Sequence, residues 1–120
     1  VSDMEMAMGA IKAAEELEAP LILQIAEGRL RYSPLDLLGP VMIAAAKKCK
    51  MPTAVHLDHG STMETIKLAL DLGFTSVMFD GSKYPLDENI ARTKEVVKLA
   101  KSYGADVEGE IGRVGGAEGD

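Results

Sequence analysis

The chain has 120 residues and a formal net charge of -6, from 13 Lys and Arg against 19 Asp and Glu. A hydrophobic content of 47% is typical of a folded chain and argues against intrinsic disorder. The acidic balance, without a basic cluster, disfavours nucleic acids and anionic membranes as partners. The longest apolar run, residues 41–46, is too short to cross a bilayer. The single cysteine, Cys49, excludes an internal disulfide and predicts a reducing compartment, which we expect to be the cytoplasm.

Patterns typical of helices and of strands alternate along the chain. Apolar residues at spacings of three and four indicate amphipathic helices, whereas short runs that are apolar on both faces indicate parallel strands covered by helices. In chain order the sequence predicts a helix at 4–18, a strand at 21–26, a helix at 34–48, a strand at 53–58, a helix at 61–73, a strand at 75–79, a helix at 87–103, a strand at 106–110 and a glycine-rich loop at 112–120.

Several helix boundaries carry local signals. Ser33 followed by Pro34 predicts an N-cap and a first helical residue. Residues 61–64 have the spacing of a capping box that begins at Ser61, and Asp87 is expected to cap the fourth helix. The pair at 39–40, glycine followed by proline, is expected to kink or restart the second helix.

The alternation predicts right-handed βαβ units and therefore a parallel sheet. Two architectures are compatible with it, an open doubly wound sheet and a closed (β/α)8 barrel. Strands that are adjacent in chain order would favour the barrel. The first predicted strand is not followed by a glycine-rich dinucleotide fingerprint, and the sequence contains no Walker loop, which counts against nucleotide binding.

A charged residue stands at or near the carboxyl end of every predicted strand, where parallel α/β folds gather their chemistry. The second strand ends in Asp58 and His59, the third is followed by Asp80 and the fourth ends in Glu110, while Glu27 follows the first. Carboxylates packed together repel unless a cation or a proton offsets them, so a divalent metal is the simplest explanation. The histidine nitrogen favours zinc or a similar transition metal over Mg²⁺ alone.

Each of these acids also has a purely structural interpretation, because an acid after a strand often only caps the next helix. Ser61 and Asp87 are the predicted caps of the helices that follow Asp58 and Asp80, so these two acids are not needed as caps. Glu110 precedes a loop and has no helix to cap. His56 lies two residues before Asp58 and hence on the same side of the strand. We expect His56 to support the site or to pack within the sheet, and not to bind the metal.

Three segments resemble the class II ketose-bisphosphate aldolases, a family that includes fructose-1,6-bisphosphate and tagatose-1,6-bisphosphate aldolases. The segments are residues 55–61, residues 78–82 with Pro85, Glu88 and Asn89, and residues 107–116, in matching order and spacing. The resemblance implies a (β/α)8 barrel of roughly 250 residues. Residues 1–120 would be a part of this aldolase domain, incomplete at both ends, that supplies barrel strands two to five with their helices. The absent part would carry two further zinc-ligand histidines and the phosphate-binding loops, so this chain alone is expected to be inactive.

The resemblance also implies a reaction and roles for individual residues. The reaction is the metal-dependent aldol cleavage or condensation of a ketose 1,6-bisphosphate, of the fructose or the tagatose type, with dihydroxyacetone phosphate and glyceraldehyde 3-phosphate as products. Asp58 would be the proton donor, and Glu118 on the glycine-rich loop would move a proton at the ketose carbon. His59 would bind the catalytic zinc, while Asp80 and Glu110 would hold a second metal or the zinc in another position. The full-length protein is expected to be a homo-oligomer, a dimer or a tetramer.

Two other functions are compatible with a barrel. A Schiff-base aldolase needs a desolvated lysine at a strand end, and none of the predicted strands contains a lysine. A non-catalytic metal- or sugar-phosphate-binding module would use the same scaffold, because a fold does not determine a function. Such a module would have no need of Asp58 beside His59.

Overall fold

The structure, a computed structural model, describes residues 1–112. Its helices are α1 Met4–Glu16, α2 Leu35–Lys48, α3 Met63–Leu72 and α4 Leu86–Tyr103, and its strands are β1 Leu21–Ala26, β2 Thr53–Gly60, β3 Ser76–Phe79 and β4 Asp106–Gly109. A short 3-10 helix, Glu27–Arg29, follows β1. Each helix and strand predicted for this part of the chain is present. Of the predicted loop at 112–120, residues 113–120 lie outside the described residues.

The strands form one parallel sheet in the order β1-β2-β3-β4. Each strand therefore pairs with its sequence neighbours, as consecutive strands of a barrel do, whereas a doubly wound sheet reverses its strand order at a switch point. The order confirms the expectation for part of a (β/α)8 barrel over the doubly wound alternative. Among residues 1–112, no helix combines the length and the apolar character needed to cross a membrane.

The core lies between the sheet and the helices that pack on it. Alternate residues of a strand point to opposite faces. On β1, Leu23 and Ile25 are buried, whereas Ile22 and Gln24 on the other face are exposed. Right-handed connections between strands that follow one another place the helices on a single face. The residues that close this core from the helix side include Met42, Ile66, Leu70, Val96 and Ala100.

Helix α2 differs from its prediction at its start. The hydroxyl of Ser33 donates to the backbone carbonyl of Ser2 at 2.6 Å, so Ser33 is not the N-cap. The helix also continues through Gly39 and Pro40 without a restart. At Gly39 a Cβ would lie 2.9 Å from Cδ1 of Leu72 in α3. The absence of a side chain at Gly39 thus permits close packing of α2 against α3, one residue before Pro40.

The starts of α3 and α4 also differ from their predictions. The N-cap of α3 is Thr62, whose Oγ1 accepts the backbone N–H of Thr65 at 3.2 Å, so the capping box beginning at Ser61 is wrong. Helix α4 starts after Pro85, and Asp87 lies inside its first turn instead of capping it. A carboxylate at that position still interacts favourably with the positive end of the helix dipole.

Strand β2 is irregular near its carboxyl end. Leu57 pairs with Val77, but the next pairing joins Gly60 to Phe79, so β2 has one residue more than β3 over this stretch. His59 lies in this β-bulge with a φ of +49°, in the left-handed region that residues other than glycine rarely occupy. The bulge changes the direction of the chain at the edge of the sheet where the charged residues stand.

The close approach of β2 to β3 after the bulge can be tested at Gly60. A Cβ there would lie 2.5 Å from the carbonyl oxygen of Met78, so we expect Gly60→Ala to lower the free energy of unfolding by about 1–3 kcal/mol. Gly28→Ala is the matched control, because no heavy atom lies within 4 Å of the corresponding position and the change should stay within about 0.5 kcal/mol. Urea denaturation measures both, and equal midpoints for the two variants would contradict the expectation.

Candidate metal centre

Side chains from the ends of three neighbouring strands meet at the carboxyl edge of the sheet. His59 lies near the end of β2, Asp80 follows β3 and Glu110 follows β4. One donor atom from each lies within 4.8 Å of the others. The Nδ1 atom of His59 is 3.0 Å from Oδ2 of Asp80 and 3.6 Å from Oε2 of Glu110. The structure thus brings together three of the residues that the sequence placed at this edge, and we call these three the three-donor set.

The bulge in β2 explains how two consecutive residues reach the same place. In a regular strand Asp58 and His59 would point to opposite faces of the sheet. Here the extra residue and the left-handed backbone of His59 turn both side chains toward the edge. The Nε2 atom of His59 lies 3.9 Å from Oδ1 of Asp58 as a result.

Asp80 is oriented by the loop that follows β3. Its Oδ1 accepts the backbone N–H of Ser82 at 3.0 Å, while its Oδ2 faces His59. Partial burial favours the neutral acid, but the hydrogen bonds from Ser82 and His59 prevail and hold the pKa of Asp80 below its usual value. The carboxyl group is therefore ionised at neutral pH.

The same hydrogen bond acts on His59 in the opposite sense. The hydrogen bond to Asp80 raises the pKa of His59 above the usual 6.5, and the neighbouring carboxylates, including Glu110, act in the same direction against partial burial. The raised pKa favours a proton on the imidazole, which would offset part of the negative charge at this edge. A metal ligand must be a neutral imidazole, so a bound cation would displace that proton.

Glu110 supplies the clearest sign that a cation fits here. Its Oε2 is buried and has no hydrogen-bond partner within residues 1–112. A buried carboxylate oxygen without a partner is costly unless a cation satisfies it. One imidazole nitrogen and two carboxylate oxygens are donors that zinc and related transition metals accept. The three-donor set therefore fits a divalent metal.

Asp58 stands beside the three-donor set and is not part of it. Its Oδ2 accepts a hydrogen bond from Nε2 of Gln24 at 3.2 Å. The Asp58 side chain is 22% exposed, so a small molecule could reach it. Sequence reasoning missed Gln24, although it is the one polar residue in the otherwise apolar strand 21–26.

Glu27, the acid that follows β1, ties two loops together instead of joining the three-donor set. It accepts the backbone N–H of Ser61 and the hydroxyls of Thr65 at 2.8 Å and Thr62 at 3.3 Å. The carboxylate thereby supports the start of α3, which follows the end of β2 where His59 lies. Its role is the structural one that an acid after a strand often has.

His56 is buried in β2, two residues before Asp58, and is also outside the three-donor set. Its Nδ1 pairs with Oγ of Ser76 at 2.7 Å, and its Nε2 lies 3.4 Å from Oε2 of Glu108. Burial lowers the pKa of His56 below 6.5, although the charges of Glu108 and Asp58 oppose this. These contacts agree with the expectation of a packed, supporting residue.

Glu118, expected on the glycine-rich loop, lies outside the described residues.

The link between Asp80 and His59 predicts a pH dependence of the metal-free protein. Because the pKa of His59 in the folded protein is above the usual 6.5, its protonation stabilises the fold below pH 6.5, and this contribution is lost as the pH rises through the folded pKa. We expect Asp80→Asn to lower the pKa of His59, measured by NMR titration of the ring. Glu88→Gln is the control, because Glu88 pairs with Arg92 on α4. An unchanged pKa in Asp80→Asn would contradict the assigned cause.

Comparison with known proteins identifies the family of this chain. The family profile "Fructose-bisphosphate aldolase class-II" matches residues 1–120. The fructose-bisphosphate aldolase of Giardia intestinalis is 47% identical over 121 residues, and that of Thermus caldophilus is 43% identical over 117 residues. These matches cover 100% and 98% of this chain but only 38% of each relative. The crystal structure of the YdjI aldolase from Escherichia coli K12 superposes with a TM-score of 0.89 at 38% identity, over 96% of this chain and 44% of that chain.

The chain thus spans well under half the length of the relatives it matches, and its strands correspond to part of their barrel. The family profile matches all of residues 1–120, and the fold of the chain agrees with that match. The chain belongs to the class II fructose-bisphosphate aldolase family.

Proposed function

We propose that the protein carrying this chain is a metal-dependent aldolase that cleaves and reforms a ketose 1,6-bisphosphate, with dihydroxyacetone phosphate and glyceraldehyde 3-phosphate as products. The observation that carries the proposal is the three-donor set of His59, Asp80 and Glu110 with Asp58 beside it. The names of the relatives support fructose 1,6-bisphosphate as the substrate. Tagatose 1,6-bisphosphate, its C4 epimer, is the alternative substrate.

We propose zinc as the metal and His59 as its ligand from this chain. When bound, the metal would polarise the ketone carbonyl of the substrate and stabilise the negative charge that develops there. Asp80 and Glu110 supply oxygen donors for a second metal or for the zinc in another position. The matches cover 38% of the relatives, so we assign the remaining histidine ligands and the phosphate contacts to barrel strands beyond residues 1–120. This chain alone would accordingly be inactive.

Asp58 is the residue we assign to proton transfer on the oxygen. On cleavage it takes the proton of the C4 hydroxyl while the C3–C4 bond breaks, and on condensation it returns that proton to the aldehyde oxygen. The hydrogen bond from Gln24 fixes one carboxylate oxygen and leaves the other facing the site. We assign the exchange of the proton at the ketose carbon to Glu118.

A non-catalytic metal- or sugar-phosphate-binding barrel is the alternative function. Such a module would use the three-donor set but would gain nothing from a separate, partly exposed carboxylate at Asp58. The oriented Asp58 therefore favours an enzyme.

For the full-length protein we propose a cytoplasmic homo-oligomer, a dimer or a tetramer, and the single Cys49 is compatible with the reducing compartment.

Substitutions at the two neighbouring residues should separate their roles in the protein that carries this chain. We expect His59→Ala to lower the zinc content and the rate of aldol cleavage together. Asp58→Asn should keep the metal while kcat falls about 10²–10⁴-fold, as for a general acid–base group, with a smaller change in KM. A coupled assay and metal analysis by mass spectrometry measure these effects. Near-normal turnover of Asp58→Asn with bound zinc would make Glu118 the next residue to test.

Asp80 and Glu110 should give a third pattern. Because they are assigned to a second or alternative metal position, Asp80→Ala and Glu110→Ala should lose less activity than His59→Ala. Their activity should also depend differently on the concentration of added zinc, which a metal titration of the chelated protein measures. The same loss of metal and activity in all three variants would instead indicate a single metal position bound by all three residues.

Removal of the metal separates this mechanism from that of a Schiff-base aldolase. Dialysis against a chelator should abolish cleavage, and added zinc should restore it. Borohydride with dihydroxyacetone phosphate should leave the protein mass unchanged, because the mechanism has no lysine imine to reduce. A covalent adduct that survives chelation would overturn the proposal.

A further inference from the structure

A buried amide on α4 links the two loops that carry the carboxylates of the three-donor set. The residue is Asn89, which is only 6% exposed. We propose that Asn89 is a positioning residue that fixes the placement of Asp80 and Glu110 relative to each other and thereby sets the affinity and the ligand geometry of the metal centre. The inference rests on the proposed metal-dependent function.

The first contact of Asn89 is with the backbone of Glu110. Its Nδ2 donates to the carbonyl oxygen of Glu110 at 2.7 Å. Strand β4 ends at Gly109, so Glu110 lies one residue beyond the β-ladder that fixes the rest of the strand. The amide of Asn89 provides the hydrogen bond that the ladder no longer supplies. The direction in which the Glu110 side chain leaves the backbone therefore depends on Asn89.

The second contact is with the residue that follows Asp80. A Cβ at Gly81 would lie 2.1 Å from Oδ1 and 2.6 Å from Cγ of Asn89, so the backbone of this loop rests directly against the amide. Only glycine permits such an approach without displacement. Asn89 thus acts as a spacer between the loop after β3 and the segment after β4.

A third contact determines which way the amide faces. The hydroxyl of Thr93, one helical turn away, donates to Oδ1 of Asn89 at 3.1 Å. Because a hydroxyl can donate to the oxygen of the amide and a carbonyl can only accept from its nitrogen, Thr93 and Glu110 together define one orientation. Both Nδ2 and Oδ1 of Asn89 are therefore hydrogen-bonded, which fixes the orientation of the amide.

The test uses Asn89→Leu, which keeps a similar shape and removes the amide without adding charge. The protein that carries this chain is stripped of metal and titrated with CoCl₂, whose visible absorption reports ligand geometry. We expect Co²⁺ to bind about 10–100-fold more weakly than in the wild type, as for other residues that orient metal ligands, and its absorption spectrum to change. Val96→Ala is the control, because Val96 lies in the core on the same helix and its loss should lower stability while leaving the cobalt spectrum unchanged.

Thr93→Val is a milder variant that keeps the fold while removing the hydroxyl, and it should shift the affinity in the same direction by a smaller factor. Crystal structures of the metal-free wild type and Asn89→Leu, or Thr93→Val if the leucine variant does not fold, give a readout independent of metal. In the variant, Oε2 of Glu110 should move from its position 3.6 Å from Nδ1 of His59. An unmoved Glu110 with an unchanged cobalt spectrum would overturn the inference. A wild type that binds no divalent metal would overturn the proposed function, while a displaced Glu110 would still support the positioning role of Asn89.

Discussion

The site depends on one irregularity, the extra residue near the end of β2. A regular parallel strand would send Asp58 and His59 to opposite faces, and a single edge could then use only one of them. The bulge and the left-handed backbone of His59 bring both to that edge. A left-handed residue other than glycine costs roughly 1–2 kcal/mol. The left-handed conformation of His59 is kept despite this cost, because the pairing with β3 before it and the packing of Gly60 against Met78 after it hold the backbone.

The second constraint on this edge is its charge. Three carboxylates surround one imidazole, and their mutual repulsion must be offset. The raised pKa of His59 favours a proton on its imidazole, which offsets part of this charge. Hydrogen bonds from Ser82 to Asp80 and from Gln24 to Asp58 offset a further part. Oε2 of Glu110 has no hydrogen-bond partner among the described residues and lies 3.6 Å from Nδ1 of His59, so it is the oxygen that a bound cation would satisfy. In the proposed metal-dependent function, this repulsion among the acids favours the binding of a divalent cation.

The strands bring these residues to one edge, but side chains between the loops hold them in place. Glu27 connects the loop after β1 to the start of α3, and Asn89 connects the loop after β3 to the end of β4. Each bridge joins segments that no β-ladder aligns, since the ladders end before the loops begin. In our proposal, such bridges determine how the side chains of the three-donor set are placed relative to one another.

The sequence by itself determined the alternation of helices and strands and the convergence of His59, Asp80 and Glu110, because hydrophobic periodicity is local and parallel strands align their carboxyl ends. It could not determine which group binds each exposed backbone N–H. The sequence predicts Ser61 as the cap of α3, yet the backbone N–H of Ser61 donates to Glu27, 34 residues earlier in the chain. The roles of Gln24 and Asn89 likewise come from contacts over 34 and 21 residues. Only the tertiary structure decided these contacts, since each joins residues that are far apart in the chain and that the local sequence does not bring together.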